Sequence, residues 1–252
     1  MLTHAEKMKL MVDDRYPLAA KYDPEWMFEN KMGGHCLWLA ESLSRIMELK
    51  PGMRVLDMGC GTALTSIFLA KEFGVTVFAN DLWVSPDDNF VRICEAGVQN
   101  LVFPIKAEAH SLPYARNFFD AIISINSFQF FGTASTYLAD EMAHLLRPGG
   151  QFGLVVWGPD KEFNGKVPDF MEKEWWPDFY YFHSLDWWRW HFEQTRLFEF
   201  VAGDDMGGDG VWITQQWAKI MDRFTTLAKS GIMRWNRMVM KRNHAQADDF
   251  RI

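Results

Sequence analysis

A glycine-rich loop near residue 60 is the part of this chain best suited to hold a ligand. The residues Val55-Leu56-Asp57-Met58-Gly59-Cys60-Gly61 run from an apolar strand pattern into a helical one. Glycines in such a turn accept backbone angles that other residues avoid, and they let a ligand approach the main chain closely. A nicotinamide-binding loop would have glycine or alanine at the sixth position from Gly59, where Leu64 stands, and here Asp57 lies two positions before that glycine. The spacing therefore argues against a nicotinamide cofactor.

A second carboxylate ends the next predicted strand. Asp81 follows the apolar stretch 75–80 and lies 22 residues beyond Gly59. In a parallel sheet the carboxyl ends of neighbouring strands meet at one edge, where ligands bind. A carboxylate at that edge can accept hydrogen bonds from both hydroxyl groups of a ribose.

The elements that must position these residues alternate between strand and helix patterns, which is typical of a parallel sheet with crossover helices. The stretch 23–49 is mostly helical and is interrupted by Gly33-Gly34, and Arg147-Pro148-Gly149-Gly150 predicts a turn. A Gly/Asp-rich loop is predicted at 203–210. The predicted strands are 53–58, 75–80, 102–107, 119–126, 151–157, 197–202 and 235–242, and the predicted helices are 62–73, 85–96, 135–146, 184–195 and 212–229.

Five segments in order resemble the motifs of the class I S-adenosylmethionine-dependent methyltransferases, over roughly residues 49–202. Besides the glycine loop and Asp81, these are Glu108-Ala109-His110-Ser111-Leu112-Pro113-Tyr114, Phe119-Asp120-Ala121-Ile122-Ile123-Ser124 and Leu145-Leu146-Arg147-Pro148-Gly149-Gly150. Within the family the chain looks most like bacterial small-molecule enzymes of the cyclopropane-synthase-like type. The resemblance implies a Rossmann-like α/β fold, a seven-stranded sheet with six parallel strands and the last antiparallel, and helices on both faces.

The resemblance also implies S-adenosyl-L-methionine as cofactor, S-adenosyl-L-homocysteine as product, and a set of cofactor-binding residues. The glycine loop would carry the methionine part, with Asp57 positioning the loop and the amino group. Asp81 would bind the ribose, and Asn126 would lie near the transferred methyl group. The implied cofactor residues are Asp57, Gly59, Cys60, Gly61, Asp81, Leu82 (on the adenine face), Glu108 (to the adenine amine), Ala109 (through its backbone N–H) and Asn126.

The acceptor side is less defined by the sequence. His183 is the candidate general base, since it ends an aromatic-rich insertion where the family's acceptor pocket would lie, and His191 follows on the next helix. The insertion could be a lid, a cage for a cation, or an interface between two copies of the chain. The predicted substrate-pocket residues are Tyr22, Trp26, Trp175, Trp176 and His191.

Composition limits the partners. The 252 residues are 48% hydrophobic and 23% charged, and 26 Lys and Arg against 33 Asp and Glu give a net charge of −7. This balance disfavours nucleic acid and anionic membranes as partners. Three scattered cysteines predict neither a disulfide framework nor a metal site. No signal peptide or membrane-spanning run is recognisable, so a cytoplasmic location is expected.

The sequence thus predicts a single methyltransferase domain that acts on a small-molecule acceptor and could form a homodimer. The acceptor atom (N, O, S or C) stays open, as do two alternatives: an RNA or protein methyltransferase, and a divergent cofactor-binding protein without methyl transfer. The predicted parts are a helical cover (1–49), a cofactor-binding core (50–157), the lid-like insertion with its helix (158–196), and C-terminal strands with a helix (197–252).

Overall fold

The computed structural model describes residues 2–244 and contains one seven-stranded sheet. The spatial order is β3-β2-β1-β4-β5-β7-β6, and β7 runs antiparallel to both of its neighbours. This confirms the predicted Rossmann-like α/β fold with six parallel strands and an antiparallel last strand. The strands are β1 (Arg54–Met58), β2 (Thr76–Asp81), β3 (Val102–Lys106), β4 (Phe119–Ile125), β5 (Leu146–Pro159), β6 (Phe198–Asp204) and β7 (Met233–Arg242).

Helices cover both faces of the sheet and bury two separate apolar layers. One layer includes Trp38 and Phe68, and the other includes Phe128, Phe152 and Trp188, all fully buried. Each such side chain contributes about 1.5–3 kcal/mol when it leaves water. The helices are α1 (His4–Lys9), α2 (Pro24–Glu29), α3 (Cys36–Ser44), α4 (Leu64–Phe73), α5 (Pro86–Glu95), α6 (Ser135–Tyr137), α7 (Ala143–Leu145), α8 (Leu185–Glu193), α9 (Gly207–Met221) and α10 (Thr225–Ser230), with a π-helical turn (Leu138–Met142) between α6 and α7.

The turn predicted at residues 147–150 lies inside β5. Leu146 pairs with Phe119 and Gln151 pairs with Ala121, so four residues of β5 stand opposite the single residue Asp120. The left-handed conformation of Gly149, at φ 74°, permits this bulge. Strand pairing continues on either side of the bulge, which is why a local turn signal did not end the strand.

The loop predicted at 203–210 is also wrong, because β6 continues to Asp204 and α9 begins at Gly207. A Cβ atom at Gly210 would lie 2.5 Å from the Asp205 carbonyl oxygen and 2.9 Å from that of Trp235. Glycine is therefore needed here for close packing of α9 on β7 rather than for a loop. The helix predicted over 212–229 divides into α9 and α10, and the predicted C-terminal part beyond residue 244 lies outside the described residues.

The chain changes direction in the sheet between β1 and β4, which are neighbours although their connections leave toward opposite edges. A crevice forms at such a point beyond the carboxyl ends of the strands. The ends of β1, β2 and β4 carry the glycine loop, Asp81 and Asn126. The topology therefore brings the predicted cofactor residues to one place.

Candidate active site

A cavity of about 480 Å³ opens at the carboxyl edge of the sheet. Its wall is drawn from five chain segments, within 32–36, 59–65, 80–83, 107–110 and 125–131. The volume falls in the usual range for small-molecule sites. Eight of the nine predicted cofactor residues lie on this wall, and Asp57 is the exception.

The glycine loop is held by backbone hydrogen bonds to β2. The N–H groups of Gly59 and Cys60 donate to the Asn80 carbonyl oxygen at 2.8 and 3.0 Å. Gly59 and Gly61 have φ angles of 70° and 55°, in the left-handed region that favours glycine. A Cβ atom on Gly59 would lie 2.4 Å from Ser127 Oγ, so this glycine lets the loop pass close to the end of β4.

Asp81 connects the end of β2 to the glycine loop. Its Oδ2 atom accepts from the Gly61 N–H at 2.8 Å, and its Oδ1 atom accepts from the N–H groups of Trp83 and Val84 at 2.8 and 3.0 Å. A carboxylate has about four acceptor positions. Three are used here, so Asp81 keeps capacity for one further donor while it positions the loop.

Asp57 lies beneath the loop rather than on the cavity wall. It is 1% exposed, and its Oδ2 atom accepts from the Ser66 hydroxyl at 2.6 Å. Burial raises the pKa of this carboxyl to about 7, and the nearby charge of Asp81 also raises it. The sequence placed Asp57 among the cofactor residues, whereas its observed contact joins β1 to the first turn of α4.

Glu108 and His110 form a pair on the wall segment that follows β3, next to Asp81, whose carbonyl oxygen accepts from the Ala107 N–H at 3.2 Å. The Glu108 Oε2 atom accepts from the His110 backbone N–H at 2.8 Å, and its Oε1 atom lies 2.7 Å from His110 Nδ1. Burial raises the pKa of Glu108, but the hydrogen bonds from His110 outweigh it and leave the pKa below its usual value. Next to them, the Ala109 carbonyl oxygen accepts from the Tyr137 hydroxyl at 2.9 Å, which fixes this segment.

Asn126 lies where β4 meets the N-terminal segment. Its backbone is left-handed, at φ 56°, and its Oδ1 atom accepts from Gln129 Nε2 at 3.2 Å. A Cβ atom on Gly33 would lie 2.5 Å from Asn126 Nδ2. Gly33 therefore has to be small for the N-terminal segment to close against Asn126.

The structure does not bring Tyr22 and Trp26 to the cavity. Their rings stack on each other with centroids 6.0 Å apart, and the Tyr22 hydroxyl donates to Glu72 at 3.3 Å on the outer end of α4. The Tyr22 ring also packs on Phe68 of α4, with centroids 5.8 Å apart. Met32, Gly33 and Cys36 reach the cavity wall from this segment instead.

Trp175 and Trp176 also lie away from the cavity. The predicted insertion begins at residue 160 rather than 158, because β5 continues to Pro159. Trp175 packs edge-to-face on Phe163 and Phe179, and Trp176 packs on Phe224 beyond the end of α9. Of the aromatic side chains in the insertion only Phe179 is buried, whereas Phe170, Trp176, Tyr180 and Tyr181 are exposed.

Neither predicted histidine lines the cavity. His183 stacks on Trp187 with ring centroids 3.7 Å apart, and its Nδ1 atom lies 3.1 Å from Glu162 Oε2. His191 is 1% exposed, its Nε2 atom bonds the Gly132 carbonyl oxygen at 2.9 Å, and burial lowers its pKa. These contacts give both rings packing roles.

Residues that the sequence analysis did not select complete the wall. Ser127, Phe130 and Phe131 follow β4, and Met32 and Cys36 come from the N-terminal segment. Position after a strand end was the available signal for Phe130 and Phe131, because they follow Asn126 at the same edge. Nothing in the local sequence distinguishes Met32 from other apolar residues of the N-terminal part.

Two kinds of feature are absent from residues 2–244. No helix there is both long enough and apolar enough to cross a membrane. Within the same residues, no group of three or more His, Cys, Asp or Glu side chains is placed to hold a metal ion.

Comparison with known proteins identifies relatives of the central part of the chain. Residues 55–150 match a family model described as a methyltransferase domain. The methyltransferase GfsG of Streptomyces halstedii is 33% identical over 122 residues, which are 46% of this chain and 42% of GfsG. The chain thus spans about two fifths of the length of the first curated relatives it matches.

A longer match covers most of the chain. The ubiquinone/menaquinone biosynthesis C-methyltransferase UbiE of Vibrio vulnificus is 31% identical over 206 residues, which are 79% of this chain and 70% of that protein. Among solved structures, geranyl diphosphate C-methyltransferase from Streptomyces coelicolor A3(2), in complex with Mg²⁺, geranyl diphosphate and S-adenosyl-L-homocysteine, superposes with a TM-score of 0.68. That match has 16% identity and covers 82% of this chain and 78% of the other, so it establishes the fold.

Proposed function

This chain belongs to the class I S-adenosylmethionine-dependent methyltransferases, and we propose that it transfers a methyl group from S-adenosylmethionine to a small-molecule acceptor. One observation carries the proposal. The glycine loop, Asp81, the segment 107–110 and Asn126 lie on the wall of a single cavity of about 480 Å³ at the carboxyl edge of the sheet. These are the residue types that the cofactor's methionine, ribose and adenine parts require.

Each part of the cofactor is assigned to different residues of the cavity wall. Asp81 would accept from a ribose hydroxyl with its remaining acceptor position, and Leu82 would lie against the adenine ring. The N–H groups at the start of α4 lie beside the wall residues Leu64 and Thr65, and the positive end of this helix suits the methionine carboxylate. No lysine or arginine among residues 2–244 lines the cavity, so in this proposal the carboxylate is held by backbone groups.

Glu108 has two roles in this arrangement. Its carboxylate holds His110, and the same oxygens lie beside the region assigned to the adenine amine. His110 is therefore a positioning residue for Glu108 in this proposal. The backbone N–H of Ala109 would serve an adenine ring nitrogen.

Catalysis in this proposal consists mainly of alignment. When bound, the cofactor supplies a methyl group on a positively charged sulfur, and the reaction is an in-line displacement. Asn126 and the phenyl rings of Phe130 and Phe131 would orient the acceptor and exclude water. His183 and His191 are assigned no proton transfer, because neither ring lines the cavity.

The test is formation of S-adenosylhomocysteine. The purified chain is incubated with S-adenosylmethionine and fractions of a small-molecule extract, and S-adenosylhomocysteine is measured by mass spectrometry. Release that depends on a fraction supports the proposal. Tight cofactor binding without release in any fraction would instead indicate a binding protein that does not transfer methyl groups.

The cofactor site is tested by Asp81→Ala. We expect calorimetry to show S-adenosylmethionine affinity reduced by roughly 1.5–3 kcal/mol, the scale of hydrogen bonds to a charged group. Asp88→Ala removes an exposed carboxylate from α5 and should leave the affinity unchanged. Equal affinities of the two variants for S-adenosylmethionine would show that Asp81 does not bind the cofactor.

A further inference from the structure

Charge is distributed unevenly around the cavity. The carboxylates on its wall are Asp81 and Glu108, and the imidazole is that of His110, which is paired to Glu108. All three lie on the side assigned above to ribose and adenine. Within residues 2–244 no lysine or arginine side chain reaches the wall.

The other side of the cavity, here called the acceptor half, consists of Met32, Gly33, Cys36, Asn126, Ser127, Phe130 and Phe131. Burial raises the pKa of the Cys36 thiol to about 12, so this group is uncharged at neutral pH. The acceptor half therefore presents two phenyl rings, a thioether, a neutral thiol, one amide and the Ser127 hydroxyl, which donates to the Met58 carbonyl oxygen at 2.7 Å. A charged group that leaves water to enter it would find no partner of opposite sign.

The amide of Asn126 keeps its donor group. Its Oδ1 atom accepts from Gln129 Nε2 at 3.2 Å, and no acceptor among the described residues bonds its Nδ2 atom. Gln129 is fully buried, and its side chain holds the Asn126 amide in this orientation. Asn126 can accordingly donate one hydrogen bond to an oxygen or nitrogen acceptor on a ligand.

Apolar surface continues outward from the acceptor half. Phe130 is 44% exposed, and its ring meets those of Tyr181 and Phe182 at centroid distances of 6.3 and 6.0 Å. Tyr181 is itself 45% exposed. An apolar ligand longer than the cavity could therefore remain in contact with aromatic rings as it leaves.

Resting on the methyl transfer proposed above, we propose that the acceptor is an uncharged molecule with an apolar body and one hydrogen-bond-accepting group that faces Asn126. Anionic acceptors such as phosphates and carboxylates are disfavoured because no lysine or arginine among residues 2–244 lines the cavity. Cationic acceptors are disfavoured because the acceptor half contains no carboxylate and because the positively charged sulfur of the cofactor would repel them.

Three probes that share one aromatic body test this inference: indole-3-acetamide (neutral, with a carbonyl acceptor), indole-3-acetate (anionic) and tryptamine (cationic). Their binding is measured by ligand-observed NMR on the chain saturated with S-adenosylhomocysteine and on the free chain. Indole-3-acetamide should bind at least about tenfold more tightly than either charged probe. Equal or tighter binding of a charged probe, or binding of none of the three at millimolar concentration, would overturn the inference.

A charge-introducing variant localises the effect. Phe130→Arg should raise the affinity for indole-3-acetate relative to indole-3-acetamide by about tenfold or more, because it supplies the missing cation. Phe103→Arg is the matched control, since Phe103 is also 44% exposed but lies on β3 outside the cavity. If the ratio of the affinities for the anionic and the neutral probe is the same in both variants, the probes bind outside the acceptor half and the inference is overturned.

Calorimetry with S-adenosylhomocysteine separates the two proposals. If the product binds and the order of the probes is reversed, only the acceptor class is wrong. If the product does not bind, the methyl-transfer proposal fails, and the measurements on the free chain still decide the character of the acceptor half.

Discussion

At the scale of single residues, the two aspartates beside the glycine loop have opposite surroundings. Asp81 accepts three backbone N–H groups, while Asp57 accepts one hydroxyl hydrogen bond and is almost fully buried. Burial therefore raises the pKa of Asp57 to about 7, and the charge of Asp81 adds to this. A carboxyl group that ionises near neutral pH under the loop makes the stability of this region depend on pH.

The folded pKa of Asp57 lies above its unfolded value, so between about pH 4 and pH 7 the folded protein holds a proton that the unfolded chain releases. The protonated Asp57 carboxyl contributes fully to the free energy of unfolding below about pH 4. This contribution is lost as the pH rises through about 7 and the carboxyl ionises. Asp57→Asn, which cannot ionise, should therefore gain stability relative to the wild type over this window, by up to about 4 kcal/mol.

Urea unfolding at several pH values measures this difference. Asp88→Asn is the control, because it makes the same substitution at a carboxyl group that is exposed on α5. A difference between Asp57→Asn and the wild type that stays flat from pH 4 to pH 8 would show that Asp57 ionises normally in the folded protein.

At the scale of elements, the N-terminal segment completes the cavity through its glycine junction. The chain between α2 and α3 brings Met32 and Gly33 onto the wall, and the Thr62 hydroxyl donates to the Asn30 carbonyl oxygen at 2.5 Å just before it. Gly33 has φ 75° and leaves room for Asn126. This junction fixes the distance between the N-terminal segment and β4.

Gly33→Ala should weaken cofactor binding and reduce the free energy of unfolding, because the added methyl group would overlap Asn126. Overpacking of this kind costs roughly 1–3 kcal/mol beyond the strain of the backbone. Gly97→Ala is matched to it, since Gly97 has φ 72° and no neighbour within 4 Å of the point that a Cβ atom would occupy. Calorimetry measures the cofactor affinity of both variants, and urea unfolding measures their free energy of unfolding. Identical losses in Gly33→Ala and Gly97→Ala would show that backbone strain, and not overlap with Asn126, causes the effect.

The aromatic insertion belongs to the same scale, and its packing changes what a substitution should do. Trp175 packs on the aromatic rings of Phe163 and Phe179 within the insertion, whereas Phe130 lies at the cavity. Trp175→Ala should lower the free energy of unfolding by roughly 2–4 kcal/mol and leave turnover per folded chain intact. Phe130→Ala should raise KM for the acceptor and change stability by less than about 1 kcal/mol.

Chemical unfolding and steady-state kinetics on the same samples distinguish the two variants. A Trp175→Ala protein that is as stable as the wild type but inactive would favour the alternative in which the insertion is a mobile cover over the acceptor.

At the scale of the whole molecule, cofactor binding and folding are coupled, because the cavity wall is drawn from five separate chain segments that the unfolded chain does not bring together. S-adenosylmethionine at one hundred times its Kd should stabilise the folded state by about 2.7 kcal/mol. For a chain of this size that raises Tm by about 5–10 °C. Scanning calorimetry with NAD at the same concentration is the control, and a comparable shift with NAD would contradict the selectivity assigned to the glycine loop.

The sequence by itself determined the sheet and the placement of the glycine loop and Asp81 at its carboxyl edge. The order of strands and helices, the glycine loop and Asp81 are local patterns, and the carboxyl ends of parallel strands meet at one edge, so residues far apart in the chain could be placed together from these patterns alone. The bulge in β5 and the start of α9 were missed because long-range pairing and close packing outweighed local turn signals there.

Only the tertiary structure decided the acceptor half. Tyr22, Trp26, Trp175, Trp176, His183 and His191 were selected for residue type and nearness in the chain, and all six pack elsewhere. An aromatic or imidazole ring buries its surface against whichever element folds next to it, and neighbours from distant parts of the chain are not encoded in local spacing. The folded chain placed Met32, Phe130 and Phe131 at the acceptor half instead, and it left that half without charge.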